Sequence, residues 1–132
     1  ADEAIVVTTP EISAVRDADR VIGLLEAHRI KTVKLIINRI RPAMVQANDM
    51  MSVNDVQEIL SIPLLGIIPD DEKVIVATNR GEPLVLSEEM SLSKVAFTNI
   101  VQRMEGKDVE FLDLNASYDT LFAKLLRLFK SK

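Results

Sequence analysis

Apolar residues fall into short blocks divided by polar punctuation, and their spacing changes from block to block. Residues 4–9, AIVVTT, are a nearly continuous β-branched run of the kind that suits a buried strand. Thr9, Pro10 and Glu11 then predict a helix start, with Thr9 as cap and Pro10 in the first turn, where its missing N–H costs nothing. Ile12, Val15, Ala18, Ile22 and Leu25 recur at helical spacing as far as about Arg29. The runs VKLIIN at 33–38 and LLGIIP at 64–69 predict two more strands. Between them, residues 41–51 are a polar connection rich in Met, Asn and Gln, with room for a helical turn. Ser52 and Asp55 match a capping box ahead of Val56, Ile59 and Leu60, and Pro63 closes that helix.

The order strand, helix, strand, helix, strand predicts parallel strands joined by right-handed crossovers. Three strands make a narrow sheet, and these are too apolar for edges. The expectation is that their neighbours lie upstream and that the chain begins inside a larger domain. Residues 73–79, KVIVATN, are ambiguous: their composition says strand, yet Val74, Ala77 and Thr78 can line a short helix. Gly81-Glu82-Pro83 marks a turn. Ser87 is expected to cap a helix over 88–104, with Glu88 and Glu89 at its positive end and Gly106 as its stop. Residues 107–117 read as a linker carrying a weak apolar patch, FLDL, at 111–114.

Composition narrows the function classes. The 132 residues carry a formal charge of -4, divided unevenly: -8 on residues 1–120 and +4 on the terminal LFAKLLRLFKSK. An acidic body is a poor nonspecific ligand for nucleic acid, so none is expected. With no Cys there is neither disulfide nor thiolate metal site, and one His cannot make a zinc cluster. No run approaches eighteen apolar residues, and ADEAIVVTTPE lacks the basic region of a signal peptide.

The tail carries chemistry of its own. On a helical wheel Tyr118, Leu121, Phe122, Leu125, Leu126, Leu128 and Phe129 share one arc, while Lys124, Arg127 and Lys130 lie outside it. A helix over 118–132 would extend about 22 Å, too short to span a bilayer but long enough to lie in its surface. Its basic groups would snorkel to anionic headgroups, giving about 1 kcal/mol each and hence reversible binding. The same pattern also fits a last helix packed on the domain core.

Ligands of parallel α/β sheets bind beyond the carboxyl ends of the strands. The candidates there are Thr8, Thr9 and Pro10, then Asn38 and Arg39, then Pro69, Asp70 and Asp71. Asn38 offers both donors and an acceptor, as reading a purine edge requires, and Pro69 can pack on a base face. Plain turn chemistry explains the same residues. The aspartates suggest Mg²⁺ or acid–base work, against a solvated or capping role. The glycines at 23, 66, 81 and 106 are scattered, and GxxxxGK[ST] is not spelled anywhere. His28 suits the end of the first helix better than a catalytic base. Arg16, Asp17, Asp19 and Arg20 lie on the polar side of that helix, either solvated or facing a partner.

The segments ADEAIVVTTPEISAVRDADRVIGLL, LIINRIRP, DMMSVNDVQEIL, PLLGIIPDDEKVIVATNRGEPLV and LFAKLLRLFKSK together resemble the C-terminal half of the MinD family. These are septum-site-determining ATPases of bacteria and plastids, within the deviant Walker, ParA-like group. The resemblance implies an α/β fold: part of a mostly parallel P-loop NTPase sheet with flanking helices, plus a C-terminal amphipathic helix. It implies a division into 1–106, the C-terminal portion of the ATPase domain, 107–117, a linker, and 118–132, a membrane-targeting helix. By the same match Asn38, Arg39, Pro69, Asp70 and Asp71 stand on the adenine side of a nucleotide site. Arg16, Asp17, Asp19 and Arg20 become contacts for a MinC-like division inhibitor and a MinE-like regulator. Residues 73–79 become a short helix. ATP and Mg²⁺ are implied, both requiring an absent N-terminal half, so this segment alone is expected to be inactive.

The function implied is an ATP-dependent switch that positions the division septum by recruiting the inhibitor. ATP would pair two complete subunits, and two tails would bind anionic membrane lipids together. Its expected place is the cytoplasm and the inner membrane's surface, or the stroma and inner envelope of a chloroplast. Two rivals remain: a ParA-type partition ATPase on nonspecific DNA, which would need a basic patch away from the tail, and a non-enzymatic module whose last helix docks on a protein groove.

Overall fold

The computed structural model describes residues 1–86 and 91–111. Three parallel strands, β1 (Glu3–Thr8), β2 (Thr32–Ile40) and β3 (Leu64–Pro69), form one sheet in the order β1-β2-β3. Helix α1 (Ile12–Ala27) joins β1 to β2, and α2 (Pro42–Gln46) with α3 (Val53–Leu60) joins β2 to β3. Helix α4 (Glu72–Arg80), a short 3-10 turn at Leu84–Leu86 and α5 (Leu92–Met104) follow. The predicted α/β class and parallel sheet are observed.

Two apolar clusters hold these layers. Val6, Val33, Leu35 and Ile37 pack with Val15, Ala18 and Ile22 of α1 and with Val56 and Leu60 of α3. Ile36, Leu65 and Ile68 pack with Ala96 and Ile100 of α5. Gly66 lets α5 approach β3 closely, because a Cβ there would overlap Ile100 Cγ1 and Cδ1. The sheet alternation predicts which β1 residues are covered: Val6 and Thr8 are buried, while Ile5 and Val7 are 42% and 57% exposed. Both β1 and β3 lie at edges of the described sheet.

Local chemistry explains where elements begin and end. The Ser52–Asp55 capping box forms, with Asp55 N–H donating to Ser52 Oγ and Ser52 N–H donating to Asp55 Oδ2, both at 3.1 Å. Helix α1 starts later than Thr9 would set it: its cap is Glu11, extended and without a side-chain bond. Pro10 is buried and its carbonyl accepts the Met51 N–H at 3.3 Å, which ties that turn to the α2–α3 connection. Helix α5 is capped by Ser91, which accepts from Lys94 N–H at 3.1 Å, while the expected cap Ser87 lies outside the described residues. The ambiguous KVIVATN is helical. Asp71 caps it by accepting from Lys73 N–H at 2.9 Å, Glu72 and Arg80 suit the ends of the dipole, and Gly81 closes it at φ +71°.

Candidate functional site

The carboxyl ends of β2 and β3 are built around one irregularity. Pairing between the strands shifts register from Ile37 to Ile40, and between them Arg39 has φ +59°. A non-glycine residue in that conformation costs about 1 kcal/mol and needs local support. Asn38 supplies it, its Oδ1 accepting the Arg39 N–H at 2.9 Å. That bond consumes one Asn38 acceptor and leaves the amide N–H groups of a half-buried side chain available to donate.

Asp70 gathers the surrounding charge. Its N–H donates to Ile40 O at 2.9 Å, holding the β3 exit against β2. Its carboxylate accepts from Arg41 Nε at 2.6 Å and lies 3.6 Å from Arg39 Nε. The guanidinium side chains are largely exposed and the carboxylate is 19% exposed, so each contact contributes about 1 kcal/mol or less. The cluster therefore orients groups more than it stabilises the fold. Two guanidiniums on one carboxylate leave a local charge of +1, suited to an anionic or electron-rich ligand.

Pro69 is buried, and its carbonyl accepts from Ser93 Oγ at 3.2 Å. Ser93 has 0% exposure, so α5 fixes the β3 exit from beneath. A hollow of about 190 Å³ is lined by Pro69, Asp70, Asp71, Lys73, Ser91 and Leu92. Asp71 stands at this edge while its carboxylate caps α4, as the capping alternative anticipates. Among the described residues there is no group of three or more His, Cys, Asp or Glu side chains that could hold a metal ion.

The turn after β1 reaches the same end of the sheet. Thr8 Oγ1 donates to Thr9 O at 3.0 Å, and Pro10 lines a separate open groove of about 530 Å³ with Met44, Met50 and Met51. Arg16, Asp17, Asp19 and Arg20 are exposed on α1, opposite its buried stripe, and Arg20 Nη1 lies 3.7 Å from Asp17 Oδ1. His28 Nδ1 is hydrogen-bonded to Leu24 O at 2.8 Å, at the helix end. The membrane candidates, Tyr118 to Lys130, lie outside the described residues. Among the described residues no helix is long and apolar enough to cross a membrane.

Sequence reasoning missed Arg41, Ser93 and Arg103. Arg41 had a usable signal, since it follows the Asn38-Arg39 pair by two residues just beyond the strand. Ser93 had none, because nothing local distinguishes it from Ser91. Arg103 Nη1 donates to Leu65 O at 2.9 Å, and burial pushes its pKa below the ordinary arginine value while nearby Asp108 acts to raise it. An arginine stays protonated through such a shift.

A family model described as ParA, NUBPL iron-transfer P-loop NTPase, matches residues 1–105. A putative septum site-determining protein MinD of Guillardia theta is 65% identical over 98% of this chain and 48% of its own length. The septum site-determining protein MinD of a Synechocystis strain is 58% identical over 96% of this chain and 48% of its own. The MinC:MinD cell division protein complex of Aquifex aeolicus contains a chain 44% identical, with a TM-score of 0.79, covering 83% of this chain and 45% of that one. The chain thus spans about half the length of the curated relatives it matches.

These matches correct the fragment reading. The family match falls on residues 1–105 of this chain itself. Four expectations are overturned by it: recognition as a C-terminal half, a function as a C-terminal segment, inactivity of the segment alone, and ATP and Mg²⁺ that wait on an absent N-terminal half. The fragment reading drew on three apolar strands in a narrow sheet, on the resemblance to a C-terminal half, and on the unspelled motif GxxxxGK[ST]. A missing spelling is evidence about one loop, not about which domain the remaining residues build.

Proposed function

The chain belongs to the ParA family of P-loop NTPases, and on that premise we propose that it is the core of a MinD-like switch ATPase acting in placement of the division septum. The observation that carries the reading is the strand-end cluster, in which Asp70 spans Arg39 and Arg41 while Asn38 keeps amide donors free beside buried Pro69. Those residues fit the base side of ATP. Asn38 would donate to a ring nitrogen, Pro69 would pack on the base face, and Asp70 would hold the arginines in place. ATP supplies the phosphate whose state sets the switch, and the residues named here orient its base.

In this reading nucleotide binding pairs two subunits, each with a basic apolar segment at 118–132. Two marginal anchors on one body bind anionic lipid far more strongly than one, which converts pairing into membrane recruitment. Tyr118, Leu121, Phe122, Leu125, Leu126, Leu128 and Phe129 would enter the acyl boundary, with Lys124, Arg127 and Lys130 at the headgroups. The exposed face of α1, with Arg16, Asp17, Asp19 and Arg20, would recruit a MinC-like inhibitor, in keeping with the MinC complex of the Aquifex relative, and a MinE-like regulator. The site of action is a membrane surface facing cytoplasm or plastid stroma. Co-sedimentation of the full-length protein with anionic phospholipid vesicles tests this. Binding should be strong with ATP and weak with ADP, and Phe122→Asp or Leu125→Asp should abolish it. Equal binding in both nucleotide states would sink the reading.

A further inference from the structure

Arg103, near the end of α5, is a charge-bearing group that the nucleotide site leaves unused. Its three guanidinium nitrogens each hold a different backbone carbonyl. Nη1 donates to Leu65 O at 2.9 Å, at the start of β3. Nε donates to Val109 O at 3.1 Å and Nη2 to Glu110 O at 2.9 Å, beyond the helix. The Phe111 ring lies over the same group, with its centroid 3.9 Å from Cζ. Gly106 at φ +85° and the Lys107 N–H to Gln102 O bond of 3.0 Å turn the chain back so that this contact can form. A planar fork that bridges the sheet, the chain after the helix and an aromatic ring is a task for arginine that lysine cannot reproduce.

We propose that Arg103 is a clamp that fixes where the basic terminal segment leaves the body. Arg103 joins the carbonyls of Val109 and Glu110 to that of Leu65 in β3, and in the sequence the six positions 112–117 lie between Phe111 and the basic segment at 118–132. Arg103 is thus a positioning residue for lipid recruitment, a role that rests on the switch reading above. For a flexible connection, effective concentration falls as the three-halves power of its length. Releasing the clamp, which lengthens six residues to eleven, should weaken paired vesicle binding about two- to threefold.

The test has two arms, both on the full-length protein. In the first, glutamyl endopeptidase cleaves after Glu110, whose carbonyl the clamp holds, and cleavage after Glu11, exposed and extended ahead of α1, serves as reference. Arg103→Gln and Phe111→Ala should each raise the relative rate at Glu110 about tenfold, because cleavage tracks the population of the opened segment. Arg103→Lys should not restore protection. Unchanged relative rates in both variants would overturn the clamp. In the second arm, vesicle binding with ATP should fall two- to threefold in both variants. A five-residue Gly-Ser insertion between Asn115 and Ala116 should reproduce that fall with Glu110 still protected. Faster cleavage with unaltered vesicle binding, where the unmodified protein binds, would overturn the positioning role. If the unmodified protein fails to bind vesicles, the switch reading fails and takes the positioning role with it, while cleavage at Glu110 still decides whether the clamp exists.

Discussion

Replacing Gly66 with alanine puts a methyl group where Ile100 already sits. The added carbon would overlap Ile100 Cγ1 and Cδ1, while Ile100 Cβ stays at an ordinary 3.6 Å. Both positions are buried, so there is little room for Ile100 to swing aside. Overpacking of this kind costs about 1–3 kcal/mol, offset by about 0.5–1 kcal/mol because alanine restricts the unfolded chain more than glycine. The single substitution should therefore destabilise by roughly 1–2 kcal/mol. In an Ile100→Ala background, both overlapping atoms are gone. That change alone costs about 2–5 kcal/mol, but adding alanine at 66 should then be neutral or stabilise by up to about 1 kcal/mol. The coupling of about 2 kcal/mol far exceeds the few tenths expected of independent sites. Ile100→Val, which removes only Cδ1, should recover part of it. Urea unfolding followed by far-UV circular dichroism reads these values, provided the slopes match. An equal cost for alanine at 66 in all three backgrounds would refute the close seating of α5 on β3, and with it the reason Ser93 meets Pro69.

Arg39→Gly should leave stability unchanged or raise it by up to about 1 kcal/mol, since glycine accepts the left-handed backbone freely, while ATP affinity falls; calorimetry of unfolding and of binding would separate the two effects. Asn38→Asp keeps the acceptor for Arg39 N–H but removes the donors, so it should weaken ATP at least roughly tenfold in a fluorescent-nucleotide titration, with little change in melting temperature. Ser52→Ala should lower stability by about 1 kcal/mol through loss of the capping box, measured by urea midpoint. Ser61 closes α3 at φ +54°, and Ser61→Gly should stabilise by about 0.5–1 kcal/mol in the same assay.

Hydrophobic periodicity made the sheet legible, because a buried parallel strand must be continuously apolar and each crossover helix must show one covered stripe. The Ser52–Asp55 box was legible for the same kind of reason, as two residues at a fixed spacing satisfy each other. KVIVATN was not legible from composition: Asp71 and Gly81 at its ends decide the helix, while Ile75 and Val76 point outward. Thr9 failed as a cap because the helix begins only after Glu11, beyond a turn whose Pro10 carbonyl accepts a bond from Met51, 41 residues away. At the strand ends, Asn38, Arg39 and Asp70 could be named as candidates, but their union required the register shift in β2, which no local pattern announces. The carbonyls that Arg103 holds are invisible to any reading of side-chain type.

If a nucleotide read at the ends of β2 and β3 is expressed as lipid binding by residues 118–132, an ATP titration of vesicle co-sedimentation will show it. Binding should rise to saturation with ATP and hardly at all with ADP. Asn38→Asp should move the midpoint to higher ATP with the plateau kept, and Phe122→Asp should remove the plateau with nucleotide affinity kept. A midpoint that ignores Asn38, or a plateau reached equally with ADP, would contradict it.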